Sequence, residues 1–266
     1  MILPASYSNG FAPRDGQPLY PELWRGRRVA AAPCLGPTGL TLRDWSGFGN
    51  QLSLSGITPA SDWVVSQGRY ALTLDGVDNF VETGISLAGE TQVTISVWAF
   101  RATSNSRMMI GDRSGGAGGA GISIDCYTDG NLYAVAANGS VTYGVISVTA
   151  FTGWHHYLLQ YDGLQGANAT RLRLWIDGIE RTMSYVGTIP ASIGTTGTTF
   201  RVGRWDTAYS TALIDDFSVF SLPAGRQAAL LASRRGIAYE LAPRRRSSVQ
   251  VAAFNRRRRL LIGASS

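Results

Sequence analysis

The sequence predicts an all-β protein, an antiparallel two-sheet jelly-roll sandwich with one short carboxy-terminal helix and extended terminal arms. Three observations predict this fold. The 266 residues are 44% hydrophobic and only 16% charged, which suits one large globular core. Residues 70–220 consist of short runs of strand-forming residues separated by Asp-Gly and Gly-rich turns. The two ends differ from this middle region, one by its prolines and the other by its arginines.

Residues 1–66 are predicted to form an extension that packs on the core. They hold seven of the ten prolines, and proline interrupts helices and sheets alike. Short strands are expected here, but no separate domain. The start, Met1 to Pro4, lacks the basic residues and the apolar run of a signal peptide. No apolar run approaches the roughly 20 residues that a membrane-spanning helix needs, so we expect a soluble protein without a membrane partner.

Residues 67–222 are predicted to form the jelly-roll domain. Asp129-Gly130 and Asp177-Gly178 each separate two strand-like runs, and glycine accepts positive φ there at no steric cost. Both dipeptides therefore predict tight hairpins. Eleven strands are predicted, and they cover residues 70–74, 80–83, 93–100, 106–111, 121–126, 131–136, 141–148, 154–161, 171–176, 198–203 and 212–220.

The carboxy-terminal region is predicted to be a helix at residues 223–236 followed by an Arg-rich arm at residues 237–266. Pro223 suits the first turn of a helix, and Gly236 can end it. All 24 basic residues of the chain are arginines. Residues 226–266 hold ten of them against one acidic residue, a net charge of +9, whereas residues 1–225 hold 14 against 17, a net charge of −3. The net charge of +6 therefore comes from the carboxy-terminal end.

Ordered motifs run through the middle of the chain, namely Leu-Asp-Gly-Val-Asp-Asn-Phe-Val (74–81), Val-Thr-Ile-Ser-Val-Trp (93–98), Trp-His-His-Tyr (154–157), Tyr-Asp-Gly (161–163), Leu-Trp-Ile-Asp-Gly (174–178), Val-Gly-Arg (202–204) and Ile-Asp-Asp-Phe-Ser-Val (214–219). Together these motifs resemble the laminin G-like group of concanavalin A-like jelly rolls. This resemblance implies a two-sheet sandwich whose members mostly bind glycans or proteins, some through calcium. The stretches at 32–39 and 42–50 are similar to versions of this module in bacterial and bacteriophage structural proteins.

The residues do not predict an enzyme. Glycosidases on related jelly rolls place two carboxylates at alternate strand positions, because both must reach one cleft at a separation of about 5 Å. The five glutamates stand singly, and Asp215 and Asp216 are neighbours that a regular strand points to opposite faces. His155 and His156 are adjacent too, so they are expected to be one packed and one hydrogen-bonded residue. The Gly-x-Gly-x-x-Gly run at 116–121 precedes a predicted strand, which favours a loop over a nucleotide site.

Three aspartates are the candidate calcium ligands, since the resemblance implies that the turn after Asp75 and the strand holding Asp215 lie near each other. Asp78 belongs to the same turn. Calcium requires six to eight oxygen ligands, including carbonyl groups and waters. The alternative is that these aspartates accept backbone hydrogen bonds and fix turns. No cofactor is required by either interpretation.

Aromatic side chains in loops can stack on sugar rings. The candidate ligand-binding residues are Tyr143, Tyr185, Trp205 and Tyr209, which we interpret as exposed aromatic platforms. Three further tryptophans lie inside predicted strands and are expected in the core; they are Trp98, Trp154 and Trp175.

Two arginine clusters mark the arm, and we interpret them as a docking site for a partner chain. Guanidinium groups bind carboxylates, while the apolar runs at 249–254 and 260–262 could add strands to a neighbour. Nucleic acid is an alternative that the scarcity of aromatics disfavours, and a solvated arm is another. The clustered residues are Arg244, Arg245, Arg246, Arg256, Arg257, Arg258 and Arg259.

Together these features predict a non-catalytic structural and binding protein. The specific hypothesis is a phage virion component at the particle surface, a capsid decoration protein or a tail-associated adhesin, with capsid or tail proteins as partners. The alternative is a lectin-like module that recognises a cell-surface or environmental glycan. A homo-oligomer suits a decoration protein, but no residue demands one. Whether Cys34 and Cys126 pair is left open by the sequence.

Overall fold

The structure, a computed structural model, describes residues 27–31, 40–44, 46, 48–67, 69–114 and 119–223. Within them, two single-turn helices, α1 (Pro59–Asp62) and α2 (Asn168–Arg171), accompany the strands. Neither has the length or the apolar character needed to cross a membrane. The strands in chain order are β1 (Arg27–Ala31), β2 (Thr41–Leu42), β3 (Leu52–Ser55), β4 (Trp63–Ser66), β5 (Arg69–Asp75), β6 (Phe80–Glu82), β7 (Gln92–Arg101), β8 (Met108–Arg113), β9 (Gly121–Cys126), β10 (Asn131–Ala137), β11 (Tyr143–Ser147), β12 (Gly153–Asp162), β13 (Leu172–Ile176), β14 (Ile179–Arg181), β15 (Ser184–Val186), β16 (Arg201–Val202), β17 (Arg204–Trp205), β18 (Ala208–Tyr209) and β19 (Thr211–Phe220).

Two antiparallel sheets contain most of these strands. The first has the order β14-β13-β12-β7-β19-β5-β4, and β1 pairs with the second half of β19. The second has the order β15-β11-β10-β9-β8-β16-β6-β3-β2. Strands β17 and β18 form a separate hairpin. The predicted all-β, two-sheet antiparallel sandwich is confirmed.

The core lies between the sheets because each strand directs alternate apolar side chains inward. In the second sheet, Ile122 and Ile124 of β9 and Leu132 of β10 are fully buried. In the first sheet, Ile95 and Val97 of β7 face them from the same apolar cluster. This alternation leaves the other side chains of β8 to β11 on the outer face of the second sheet.

The described part of the predicted extension is built into the sandwich. Strand β4 pairs with β5 in the first sheet, while β2 and β3 continue the second sheet beyond β6. The short alternating runs at 52–55 and 63–66 provide these strands, although prolines dominate the surrounding composition. The predicted helix lies outside the described residues except for Pro223, and the Arg-rich arm lies wholly outside them.

Both predicted Asp-Gly hairpins are confirmed. Gly130 joins β9 to β10 with a φ of 76°. Between β13 and β14, Asp177 and Gly178 have φ values of 55° and 75°, which suit the twist of a two-residue hairpin.

Strand β19 departs from regular alternation at its paired aspartates. The register of β19 against β7 shifts between Asp215 and Ser218, and Asp216 has a φ of 40°. This β-bulge buries both aspartates, whose exposed fractions are 1% and 4%. The strand is irregular at this point, so the alternation of a regular strand, on which the expectation of opposite faces rests, does not apply there.

Candidate functional site

A groove of about 470 Å³ lies against the outer face of the second sheet. Strands β8, β10 and β11, the β9–β10 turn and the β17–β18 hairpin supply its lining. Four of the lining side chains are aromatic, and two are charged. The residues that line it are Arg113, Tyr127, Thr128, Asp129, Tyr133, Val135, Tyr143 and Trp205.

Strand alternation places the tyrosines in this groove. Because Leu132 and Ala134 point into the core, Tyr133 must point outward from β10. Tyr133 lies opposite Asp125 of β9, and Val135 lies opposite Tyr143 of β11. The antiparallel register therefore gathers side chains from three neighbouring strands on one surface.

The aromatic rings pack edge to face. The ring centroids of Tyr127 and Tyr133 are 5.3 Å apart at 88°, and those of Tyr133 and Tyr143 are 5.3 Å apart at 74°. Tyr127 also packs against Trp205 at 6.3 Å and 81°. Such arrangements are favoured by the ring quadrupoles, and they fix successive rings at steep angles to one another. The groove walls are therefore aromatic and mutually braced.

Backbone contacts to β8 hold the hairpin that carries Trp205. The Gly203 N–H donates to the Met109 carbonyl at 2.8 Å, and the Met109 N–H donates to the Ser210 hydroxyl at 2.8 Å. The Arg113 guanidinium lies over the Trp205 ring, 4.4 Å from its centroid. This cation–π contact holds the indole in position.

Arg113 is itself paired with a buried carboxylate beneath the groove. Its guanidinium is 3.0 Å from Asp125, whose side chain is only 1% exposed. The Ser123 hydroxyl donates to the same carboxylate oxygen at 2.6 Å. Burial raises the pKa of Asp125, while the Arg113 charge acts in the opposite direction. The guanidinium of Arg113 is therefore a positive charge at the groove that Asp125 neutralises.

Asp129 brings a second carboxylate to the groove from the β9–β10 turn. It accepts hydrogen bonds from the Asn131 N–H at 3.0 Å and from the Tyr133 hydroxyl at 2.8 Å. Slight burial opposes its ionisation, but these donors outweigh that effect and lower its pKa. Asp129 is therefore ionised and exposed at neutral pH.

The structure brings two of the four predicted ligand-binding aromatics into the groove, Tyr143 and Trp205. Tyr185 instead packs half-buried against the core, and its hydroxyl donates to the Leu172 carbonyl at 2.8 Å. Tyr209 pairs with Arg204 and packs beside the ring of Phe80. Sequence reasoning did not single out the groove residues Arg113, Tyr127, Asp129 and Tyr133. The signal that could have found them is the hairpin register, which places outward-facing residues of adjacent strands side by side.

Within the described part of the chain, the candidate calcium ligands Asp75, Asp78 and Asp215 do not come together in one site. Asp75 lies opposite Thr211, four positions along β19 from Asp215. Its Oδ1 accepts backbone N–H groups of Val77, Asp78 and Asn79, which is how an aspartate fixes a turn. Among the described residues, no group of three or more His, Cys, Asp or Glu side chains is arranged to hold a metal ion.

The adjacent histidines make separate hydrogen bonds. His156 is fully buried, with its Nε2 2.9 Å from the Ser96 hydroxyl. His155 places Nδ1 2.6 Å from the Asp177 carboxylate and Nε2 3.1 Å from the Thr152 carbonyl. Both partners of His155 are acceptors, an arrangement that favours the doubly protonated imidazolium.

We predict that the His155–Asp177 pair makes stability depend on pH. The hydrogen bond to Asp177 raises the pKa of His155 above its ordinary value of 6.5. Its contribution is therefore full below about pH 6.5 and is lost as the pH rises through the raised pKa. Burial opposes ionisation of Asp177, but His155 outweighs it and lowers that pKa below 3.8, so the carboxylate contributes above pH 3.8.

Unfolding free energies of the wild-type protein and His155→Gln, measured between pH 4 and 9, test this prediction. Because both groups are partly exposed, a difference of about 1 kcal/mol is expected near pH 5, shrinking toward pH 9. Arg173→Gln is the control, since it removes the exposed ion pair of Arg173 with Glu180 without changing a histidine. A constant effect of His155→Gln across this range would contradict the prediction.

Comparisons with known proteins agree with this architecture. The family model of a laminin G domain, described as the concanavalin A-like lectin/glucanases superfamily, matches residues 75–227. No curated protein matches the chain in sequence. The structure is similar to the receptor-binding domain of botulinum neurotoxin C/D mosaic serotype, with a TM-score of 0.54, 12% identity, and coverage of 79% of this chain and 51% of that one.

Two further solved structures show the same likeness. The receptor-binding domain of botulinum neurotoxin D has a TM-score of 0.53 at 12% identity, covering 80% of this chain and 53% of that one. The type G receptor-binding domain has a TM-score of 0.51 at 12% identity, covering 79% and 51%. The chain thus spans about half the length of these structures, and at such identity the likeness concerns the fold. The match over residues 75–227 takes in more than half of the sequence, so the chain belongs to the concanavalin A-like lectin/glucanases superfamily.

Proposed function

We propose that this protein is a glycan-binding protein and that the aromatic groove is its sugar-binding site. The observation that carries the proposal is the convergence of four aromatic rings and an ionised carboxylate on one groove of about 470 Å³. Aromatic rings pack against the apolar faces of sugar rings, while a carboxylate accepts hydrogen bonds from sugar hydroxyls. A mostly apolar groove with a few placed polar groups is the usual form of a small-ligand site.

We further propose that the groove binds sugars without cleaving them. Most glycoside hydrolases use two carboxyl groups, one on either side of the scissile bond. Asp129 is the carboxylate among the described lining residues, while Asp125 is buried beneath the guanidinium of Arg113. Incubation with a panel of polysaccharides should therefore release no reducing ends, and their release in proportion to protein concentration would contradict the proposal.

Replacing Trp205 with alanine is predicted to remove most glycan binding. Trp205 offers the largest ring of the groove, and loss of a central aromatic anchor commonly costs at least 2 kcal/mol, about thirtyfold in affinity. A glycan array with the wild-type protein identifies ligands, and titration calorimetry then compares the variants. Tyr143→Ala should lower the affinity for the same ligands.

Phe48→Ala is the matched control for these variants. Phe48 is an exposed aromatic, 66% accessible, that does not line the groove. It should bind as the wild-type protein does. Binding that survives in Trp205→Ala and Tyr143→Ala, both shown to be folded by circular dichroism, would place any glycan site elsewhere.

A role in a phage particle is our second proposal, favoured by the segregation of charge along the sequence. Ten of the 24 arginines fall in residues 226–266 beside a single acidic residue. Such a segment suits docking on acidic surfaces of capsid or tail proteins, because guanidinium groups bind carboxylates in pairs of hydrogen bonds. The groove would then be displayed on the particle surface as an adhesin.

Cosedimentation with phage capsids at low and high salt tests this second proposal. The full chain is expected to cosediment, and a chain ending at residue 239 is expected to remain in the supernatant. Replacement of only Arg244, Arg245 and Arg246 by glutamine should give an intermediate, salt-sensitive result. Equal attachment of the full and shortened chains would count against the arginine segment as the docking element.

A further inference from the structure

Resting on the proposed function, we propose that the groove selects uncharged saccharides and rejects those that carry carboxylate or sulfate groups. Asp129 is the specificity-determining group, because no charged side chain of the described lining is left to pair with an anion. The inference rests on three observations, namely the partner of Arg113, the position of Asp129 and the chemistry of the remaining lining.

Arg113, the one cation of the described lining, already interacts with two other side chains. The Arg113 guanidinium stacks on Trp205 at 4.4 Å and pairs with Asp125 at 3.0 Å, and its side chain is only 9% exposed. An anionic sugar would have to compete with a buried carboxylate for it and would leave that carboxylate unpaired, which is costly. Arg113 therefore serves to position the indole and not to bind an anionic sugar.

Asp129 contributes an uncompensated negative charge. Its hydrogen-bond donors, the Asn131 backbone and side chain and the Tyr133 hydroxyl, are all neutral. With Arg113 and Asp125 cancelling, the groove carries a net charge of −1 from these three groups. A sugar hydroxyl can donate to this carboxylate, whereas a carboxylate or sulfate within several ångströms is repelled.

The rest of the described lining fits a neutral ligand. Tyr127, Tyr133, Tyr143 and Trp205 offer ring surfaces, and Val135 and Thr128 add apolar and hydroxyl contacts. None of these side chains carries charge at neutral pH, and burial raises the pKa of Tyr127 to about 12. Recognition by the groove therefore depends on ring packing and on hydroxyl hydrogen bonds.

Paired tetrasaccharides that differ at C6, where a carboxylate replaces the neutral hydroxymethyl group, test the inference. We would titrate the full chain with mannotetraose and mannuronate tetramer, and with galactotetraose and galacturonate tetramer. Because the Arg-rich segment attracts anions by itself, groove binding is defined as the part of the signal that Trp205→Ala removes. The neutral member of a pair is expected to bind at least about tenfold more tightly at low salt.

Asp129→Asn is the decisive variant. Asparagine keeps an oxygen for the Asn131 N–H and suits the turn, so the hairpin is retained while the charge is removed. Groove binding of the uronate tetramers should rise by about tenfold, narrowing the gap to the neutral sugars. Asp206→Asn is the control, since Asp206 follows Trp205 in an exposed turn with positive φ but does not line the groove. It should leave selectivity unchanged.

The outcomes separate this inference from the proposal beneath it. Preference for neutral tetramers that Asp129→Asn reduces supports the inference. Uronates that bind the groove as tightly as neutral sugars overturn it and leave glycan binding intact. If Trp205→Ala removes no signal with any glycan on the array, the proposed function fails, and the inference fails with it.

Discussion

Replacing Arg101 with methionine is expected to lower the free energy of unfolding by about 4 kcal/mol. Arg101 ends the central strand β7 and is fully buried. Its guanidinium donates to the carbonyl oxygens of Ser104, Ser106, Val148 and Phe151. These carbonyls belong to two connections, one from β7 to β8 and the other from β11 to β12. A single side chain therefore joins the two sheets at this end of the sandwich.

The large expected effect follows from what the substitution leaves behind. Methionine fills a similar volume, but it donates no hydrogen bond, so four backbone oxygens lose a partner, two of them in buried hydrogen bonds and two in partly buried ones. Each such group costs roughly 1–3 kcal/mol, partly offset because a buried charge is removed as well. The stability of Arg101→Lys should lie between those of the wild-type protein and Arg101→Met, since an ammonium cannot reproduce the planar fork of donors.

Urea denaturation of the three proteins measures these differences, with Arg107→Met as the control. Arg107 is half-exposed in the same connection, so its loss should change the free energy of unfolding by less than about 0.5 kcal/mol. If Arg101→Met does not fold at all, Arg101→Lys still supplies the test. Midpoints for the Arg101 variants equal to that of Arg107→Met would contradict the role assigned to Arg101.

The strands that the sequence predicts best are those with strong alternation between turns. Strand β9 spans residues 121–126 as predicted, because Ile122 and Ile124 alternate with small or polar residues directly before an Asp-Gly turn. Strands β2, β3 and β4 lie in the extension, where short strands are expected but their positions and partners are not predicted. They are short and gain their stability from pairing with β5 and β6, which is a long-range contact that local composition does not report.

Only two of the four aromatic residues that line the groove are predicted from the sequence, for a similar reason. Tyr143 and Trp205 stand out as aromatics near turns, whereas Tyr133 lies inside a strand and resembles a core residue. The difference depends on which face it occupies, and that follows from the pairing of β10 with β9 and β11. Asp129 was interpreted through its turn, which is also what the structure shows, but its second contact to Tyr133 depends on three-dimensional placement.

The Arg113–Asp125 pair gives the second large prediction, because it connects stability to binding. Asp125→Ala leaves the guanidinium nearly buried without its carboxylate, which is expected to cost about 3–5 kcal/mol of unfolding free energy. The Ser123 hydroxyl also loses its acceptor. Urea denaturation measures this loss, with Asp206→Asn as an exposed control expected to change little.

The double variant Arg113→Met/Asp125→Leu should be more stable than Asp125→Ala. With both charges gone, no buried charge is left unpaired, so most of the stability should return, as is common when apolar side chains replace a buried ion pair. Glycan binding should be weaker than in the wild-type protein, because Trp205 has lost the guanidinium that lies 4.4 Å from its ring. A stable double variant that binds neutral tetrasaccharides as the wild-type protein does would show that Arg113 is not a positioning residue for the groove. A stable double variant with weakened binding would separate the two roles of the pair, the one in folding and the one in holding the indole.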